Sequence, residues 1–212
     1  PMVAERHQTI VAGPGADVAL LVGGGSVRGL EGSSAIVGRD DEAKALRRWV
    51  GGGRPALLEI VGEAGLGKTT LWEEGLRLAR EAGSLVIECR PVEVEISVAY
   101  GGLASLLEPV LDLVRDELPR PRLHALEAAL RLREVRNSGL DETAVALGAL
   151  SAVRAVAELR PVLLALEDVQ WLDASSRVAL TYALRHLREG DDVGVLVTRR
   201  VGAGDGPLDL RG

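Results

Sequence analysis

Eight consecutive residues, Gly62-Glu63-Ala64-Gly65-Leu66-Gly67-Lys68-Thr69, have the types and spacing needed to hold a chain of phosphates. The pattern is G-x-x-x-x-G-K-[ST]. Its glycines let backbone N–H groups close around phosphate oxygens with no Cβ in the way. Lys68 has the reach to meet the outer phosphates. Thr69 can offer its hydroxyl to Mg²⁺, and Thr70 continues the same turn. A second chemical feature follows about a hundred residues later, where the apolar run Pro161-Val162-Leu163-Leu164-Ala165-Leu166 ends in Glu167-Asp168. One of these carboxylates can hold the Mg²⁺ shell, commonly through water, because magnesium dehydrates reluctantly. The other can orient or deprotonate an attacking water. Thr69, Glu167 and Asp168 are therefore the candidate metal residues, and Glu167 and Asp168 the candidate catalytic acids. Such chemistry runs on positioning and charge neutralisation and requires no covalent intermediate.

Elements of a particular kind must position these groups. Ala56-Leu57-Leu58-Glu59-Ile60-Val61 reads as a strand, and Thr70 to Arg80 as a helix. Strand, glycine loop and helix in that order bring phosphates to a helix N-terminus. Further strands are expected at Leu85–Cys89, Pro161–Leu166 and Val193–Thr198. The run before Glu167 is apolar on both faces, as in a parallel sheet covered by helices on both sides. Helices are expected from Asp40 or Asp41 to about Val50, and along Leu103 to Val114. Others are expected from Leu123 to about Val135, from Asp141 past Val156, and over Ser175–Glu189. Pro119 and Pro121 are read as ending the second of these. Asp141 and Asp173 are expected N-caps, Ser176 standing at the third helical position after Asp173. Alternating strands and helices predict an α/β fold, a doubly wound, mostly parallel sheet flanked by helices.

Composition narrows the function. The 212 residues are 47% hydrophobic and 26% charged, with a net charge of −6. An acidic balance argues against a nucleic-acid-binding surface. The single cysteine, Cys89, excludes an internal disulfide and a cysteine-based zinc site. No apolar run approaches the ~20 residues of a membrane span. A cytoplasmic location is therefore expected. Residues 1–34 are broken by glycines and read as an irregular, disordered leader, so that residues 35–212 form the ordered domain. The chain starts Pro1-Met2 and stops at Arg211-Gly212 soon after an apolar run, which suggests a fragment. Arg120, Arg122, Arg131, Arg133 and Arg136 form a loose basic group, read first as a solvated helix face and second as a partner contact.

Four segments carry a family resemblance. They are Ile36-Val37-Gly38-Arg39-Asp40-Asp41-Glu42, Gly62 to Thr70, Tyr100-Gly101-Gly102-Leu103-Ala104-Ser105-Leu106-Leu107, and Leu163 to Asp173. Together they resemble the P-loop domain of the signal-transduction ATPases with numerous domains. Among these they are similar to the nucleotide-binding domain of large LuxR-type transcriptional regulators. The resemblance covers roughly residues 35–200. It implies a P-loop NTPase fold, ATP or ADP with Mg²⁺, and Val37, Gly38 and Arg39 near the adenine. By resemblance Arg199, in Thr198-Arg199-Arg200, approaches the γ-phosphate, with Arg200 competing for that role. Trp171 is read as packing the turn, and Asp173 as a cap. The family's usual Asp-Asp is Glu167-Asp168 here, which bears on magnesium affinity and hydrolysis.

The function that the resemblance implies is an ATP-operated regulatory switch with slow hydrolysis. Regulatory and DNA-binding domains would lie beyond this chain, and the chain by itself is not expected to bind DNA or membrane. Nucleotide-dependent self-association is a further expectation. A P-loop phosphotransferase is the alternative, but no arginine-rich lid is evident. A GTPase reading fails because Asn137, the only asparagine, stands in Arg136-Asn137-Ser138-Gly139 rather than in Asn-Lys-x-Asp. An origin-recognition-like ATPase shares the Gly-Arg segment but not the Trp171 turn.

Overall fold

The run Val162–Leu166 is buried at every position, and its residues divide between two cores. Val162, Leu164 and Leu166 face one hydrophobic cluster, and Leu163 and Ala165 face the other. Only a strand with helices on both of its faces can bury five consecutive apolar side chains this way. A computed structural model gives the architecture around it, describing residues 7–12, 19–23, 40–52, 56–131, 140–188 and 190–200.

In chain order the elements are strands β1 (His7–Ala12) and β2 (Ala19–Gly23), helix α1 (Asp40–Val50), strand β3 (Ala56–Gly62) and helix α2 (Lys68–Glu81). Strand β4 (Leu85–Cys89) and helices α3 (Gly101–Val114), α4 (Arg120–Ala129) and α5 (Glu142–Leu159) follow. Strand β5 (Val162–Leu166), helix α6 (Ala174–Arg185) and strand β6 (Val193–Arg200) complete the described chain. The sheet order is β2-β1-β3-β6-β5-β4. Strands β3, β6, β5 and β4 run parallel. Helices α1 and α2 cover one face of this parallel sheet, and α3 to α6 cover the other. The expected α/β architecture is therefore present.

Several local departures have physical reasons. Strands β1 and β2 pair antiparallel with each other, and β1 pairs antiparallel with β3. They lie within the stretch read as an irregular leader, so at these residues that reading is corrected. The glycines that break the local pattern there flank short β segments. The other residues of 1–34 lie outside the described ones. Helix α4 begins at Arg120, before the expected Leu123, with Pro119 as its N-cap residue and Pro121 in the first turn. Proline suits that turn because its missing N–H would have no intrahelical partner. So Pro121 starts α4 rather than only ending α3, and α3 itself accommodates Pro109. Helix α6 stops at Arg185, short of Glu189, and β6 runs two residues past Thr198.

The expected caps are in place. Asp141 accepts from the Thr143 and Ala144 N–H groups. Asp173 accepts from the Ser176 N–H at 2.9 Å. It also accepts from the backbone N–H groups of Tyr100 at 2.9 Å and Gly102 at 3.1 Å. Ser176 Oγ in turn accepts from the Leu103 N–H at 2.8 Å. One buried carboxylate thus satisfies orphan donors at the start of both α3 and α6, where negative charge is favoured.

Candidate functional site

The site lies at the carboxyl ends of the parallel strands, where ligands of open α/β sheets bind. Gly62 ends β3, residues 63–67 turn, and Lys68 opens α2. Gly65 and Gly67 adopt φ of 78° and 71°. Side chains disfavour that left-handed region, so glycine spacing here is a backbone requirement. Gly67 stands at the N-cap of α2 with no side-chain cap bond, which leaves N–H groups of the first turn for an anion. Glu63, Ala64, Gly65, Thr69 and Thr70 are exposed and Leu66 is half-buried, so this rim is open to a ligand.

Lys68 is buried, and its Nζ donates to the Glu63 carbonyl at 2.9 Å. Burial lowers its pKa from the ordinary lysine value, Asp168 and Glu167 oppose that, and Arg200 adds to it. The chain folds this cation under its own loop, where a phosphate would replace the carbonyl as its partner.

Strand β5 delivers the acids. The Glu167 N–H donates to the Cys89 carbonyl at 2.9 Å, which extends the β4–β5 ladder by one step. Thr69 Oγ1 donates to Glu167 Oε1 at 2.5 Å. Asp168 then leaves the strand direction with φ 48° and ψ 52°. That left-handed turn is held by a 2.8 Å bond from the Asp168 N–H to Thr198 Oγ1. The consequence is that successive acids point to different places. Glu167 faces Thr69, and Asp168 Oδ2 lies 3.6 Å from Arg200 Nη2.

The two arginines that end β6 part company because neighbouring residues of a strand face opposite sides. Arg199 Nε donates to Glu59 Oε1 of β3 at 2.7 Å, on the side of the sheet facing α3 to α6. Arg200 lies on the side of α2 and Lys68. It approaches the Trp171 ring at 5.9 Å, and its N–H donates to Gln170 Oε1. Sequence reasoning favoured Arg199 for the phosphate side, and strand alternation was the signal that could have separated the two. It missed Arg90 altogether. Arg90 follows β4, level with Glu167, and its Nη1 lies 3.4 Å from Glu167 Oε2. Standing one residue past a strand end beside the acids was its signal. Val37, Gly38 and Arg39 lie outside the described residues.

The oxygen donors Thr69, Glu167 and Asp168 suit a hard cation such as Mg²⁺, which takes one or two carboxylates and completes its shell with water and phosphate. No cluster of three or more His, Cys, Asp or Glu that could hold a metal ion by itself is found among the described residues.

A buried lysine under a glycine loop, with acids across from it on a strand two places away, suits the phosphates of a nucleoside triphosphate. A family model, AAA ATPase domain, matches residues 35–197, most of the chain. The chain belongs to the AAA ATPase domain family. A nucleotide-binding ATPase domain is what this membership supports. No curated protein matched the chain. In this AAA ATPase domain β6 stands between the P-loop strand β3 and the acid strand β5. That insertion brings the β6 end, with Thr198 and Arg200, between the loop and the acids. No helix among the described residues is long and apolar enough to cross a membrane.

Proposed function

We propose that this AAA ATPase domain is the ATP-operated switch of a larger signal-transduction regulator of the LuxR type, acting in the cytoplasm. ATP would bind with its phosphates in Gly62–Thr70 and its adenine toward Val37, Gly38 and Arg39. The observation that supports nucleotide binding is the convergence of buried Lys68, Thr69, Glu167, Asp168 and Arg200 at one sheet end, and the regulator part of the reading rests on the resemblance carried by Tyr100–Leu107 and Leu163–Asp173. In hydrolysis, water attacks the γ-phosphorus in line, the bond to the β–γ bridging oxygen breaks, and ADP leaves with phosphate. Asp168, turned away from Glu167, orients that water and receives its proton. Glu167 and Thr69 would hold the magnesium shell, and the cation would supply charge neutralisation on the phosphates. Arg200, on the Lys68 side of the sheet, is the better placed of the two arginines to approach the γ-phosphate, and Arg199 braces β6 against β3.

Slow turnover follows from these parts. With Arg200 as the arginine that approaches the γ-phosphate and none added by a partner, the rate is expected on the order of 10⁻² s⁻¹ or below, as in P-loop switches of that kind. The test is phosphate release from Mg-ATP by this chain and by Lys68→Met. Slow release lost in the variant supports a switch. Rapid turnover that requires Lys68 would point instead to a housekeeping ATPase or a phosphotransferase.

A further inference from the structure

Beyond the phosphate loop, Arg90 follows β4 beside the acids. Its guanidinium stands over the Trp72 ring, 4.5 Å from the ring centroid. It has three carboxylates in reach, Glu167 at 3.4 Å, Glu88 at 3.7 Å and Glu73 at 4.0 Å. Arg80 pairs with Glu88 from the far side. The side chain of Arg90 is half-exposed, whereas that of Glu167 is 14% exposed. The cation is therefore free to move and the carboxylate is not.

We propose that Arg90 is a resident counter-cation for Glu167, which a divalent metal must displace when it arrives with nucleotide. This rests on the nucleotide reading above. Both oxygens of Glu167 are engaged, Oε1 by the Thr69 hydroxyl and Oε2 by Arg90. Thr69 can keep its bond and still turn lone pairs to a metal, because a hydroxyl has one proton and two lone pairs. Arg90 cannot share in the same way, since two cations on one carboxylate repel. Glu88 and Glu73 receive the displaced guanidinium within a short swing, and the planar group keeps its seat on Trp72 during that swing. Arg90 so acts as a positioning residue. It holds Glu167 in place without metal and sets how strongly metal is preferred.

The test compares wild type, Arg90→Gln and Arg90→Lys by titration with Mg-ATP and with ATP in excess chelator. Competition predicts that Arg90→Gln binds Mg-ATP more tightly, on the order of tenfold, while metal-free ATP binding does not tighten. Arg90→Lys, which keeps the charge, stays near wild type. A second readout is tryptophan emission, since a guanidinium leaving Glu167 shifts over Trp72. The magnesium-dependent part of the nucleotide signal should be smaller in Arg90→Gln than in wild type, the remainder coming from Trp171 beside Arg200, and an undiminished signal would count against the inference. Weakened or unchanged Mg-ATP binding in Arg90→Gln would overturn the inference alone. Absence of ATP binding by a folded wild-type chain in both conditions would overturn the nucleotide reading and this inference with it.

Discussion

Thr69 and Glu167, 98 residues apart in sequence, are joined by a 2.5 Å hydrogen bond across the head of the sheet. The bond unites the first turn of α2 with the end of β5. It is the contact through which the phosphate loop and the acids become one site. Thr69→Val, which keeps shape and removes the hydroxyl, should cost little in the exposed first turn of α2, within about 1 kcal/mol of wild-type stability. It should weaken Mg-ATP binding more than metal-free ATP binding. Paired titrations with and without chelator check this.

Lys68 should be a functional residue held at some expense of stability. Burial depresses its pKa below 10.5. Between that lowered value and 10.5 the unfolded chain binds more protons than the folded one, so Lys68 makes stability rise with pH across this window. At lower pH the lysine is charged in both states and its unfavourable contribution is constant. Lys68→Met should therefore remove the alkaline rise from the unfolding free energy. Near neutral pH its thermal midpoint should equal or exceed wild type, by about 2–4 °C if ~1 kcal/mol is recovered. Urea unfolding at several pH values, with scanning calorimetry, measures both.

Asp168 sits in a left-handed conformation that glycine and asparagine tolerate better than alanine. Asp168→Gly and Asp168→Asn should both fold, with Gly more stable than Ala by ~1 kcal/mol in denaturant unfolding. All three substitutions should abolish phosphate release. Equal stability of Gly and Ala would mean that the backbone strain is relieved elsewhere.

Asp173 should matter to the fold more than to chemistry. Its carboxylate serves three backbone N–H groups on two helices. Asp173→Ala loses a cap and strands buried donors, so ~2–4 kcal/mol should disappear from the unfolding free energy. Asp173→Asn, which keeps an acceptor oxygen, should lose less. A similar loss of ATP binding in a still-folded Asp173→Asn would instead assign the residue to the site.

Cys89 should be inert while the chain is folded. Burial pushes its thiol up to about 12 from 9.0, against a hydrogen bond with Ser105 that lowers it. At pH 8 it should react with a disulfide reagent orders of magnitude more slowly than in denaturant. Its folded pKa lies above the unfolded one, so its stabilising contribution is present below pH 9 and lost as pH rises toward 12. Fast native-state labelling would contradict the burial of β4.

Much of this was legible in the residues. Gly65, Gly67, Lys68 and Thr69 carry their chemistry in their spacing, because each serves one local turn. The apolar run Val162–Leu166 announced a strand covered on both faces. Asp141 and Asp173 announced their caps, since a cap is a contact across three residues. What the residues did not announce are the contacts made across the sheet. Arg199 and Arg200 are adjacent and alike, and only the facing strand places Glu59 against one and Asp168 near the other. Arg90 carried a local sign, one residue past the strand Leu85–Cys89, but its pairing with Glu167 depends on the register between β4 and β5. Asp173 reaches Tyr100 and Gly102 over 73 and 71 residues, which its role in α6 did not foretell. Strands β1 and β2 were hidden because both are short and bordered by glycines, and because β1 reaches β3 across about fifty residues of sequence.

A nucleotide held by the loop under which Lys68 is buried is most directly tested by calorimetric titration. Wild type and Lys68→Met should each be titrated with Mg-ATP, Mg-ADP and Mg-GTP, with circular dichroism confirming that both are folded. Adenine-selective binding is expected from wild type and none from the variant. Equal binding by Lys68→Met, or no binding by folded wild type, would contradict it.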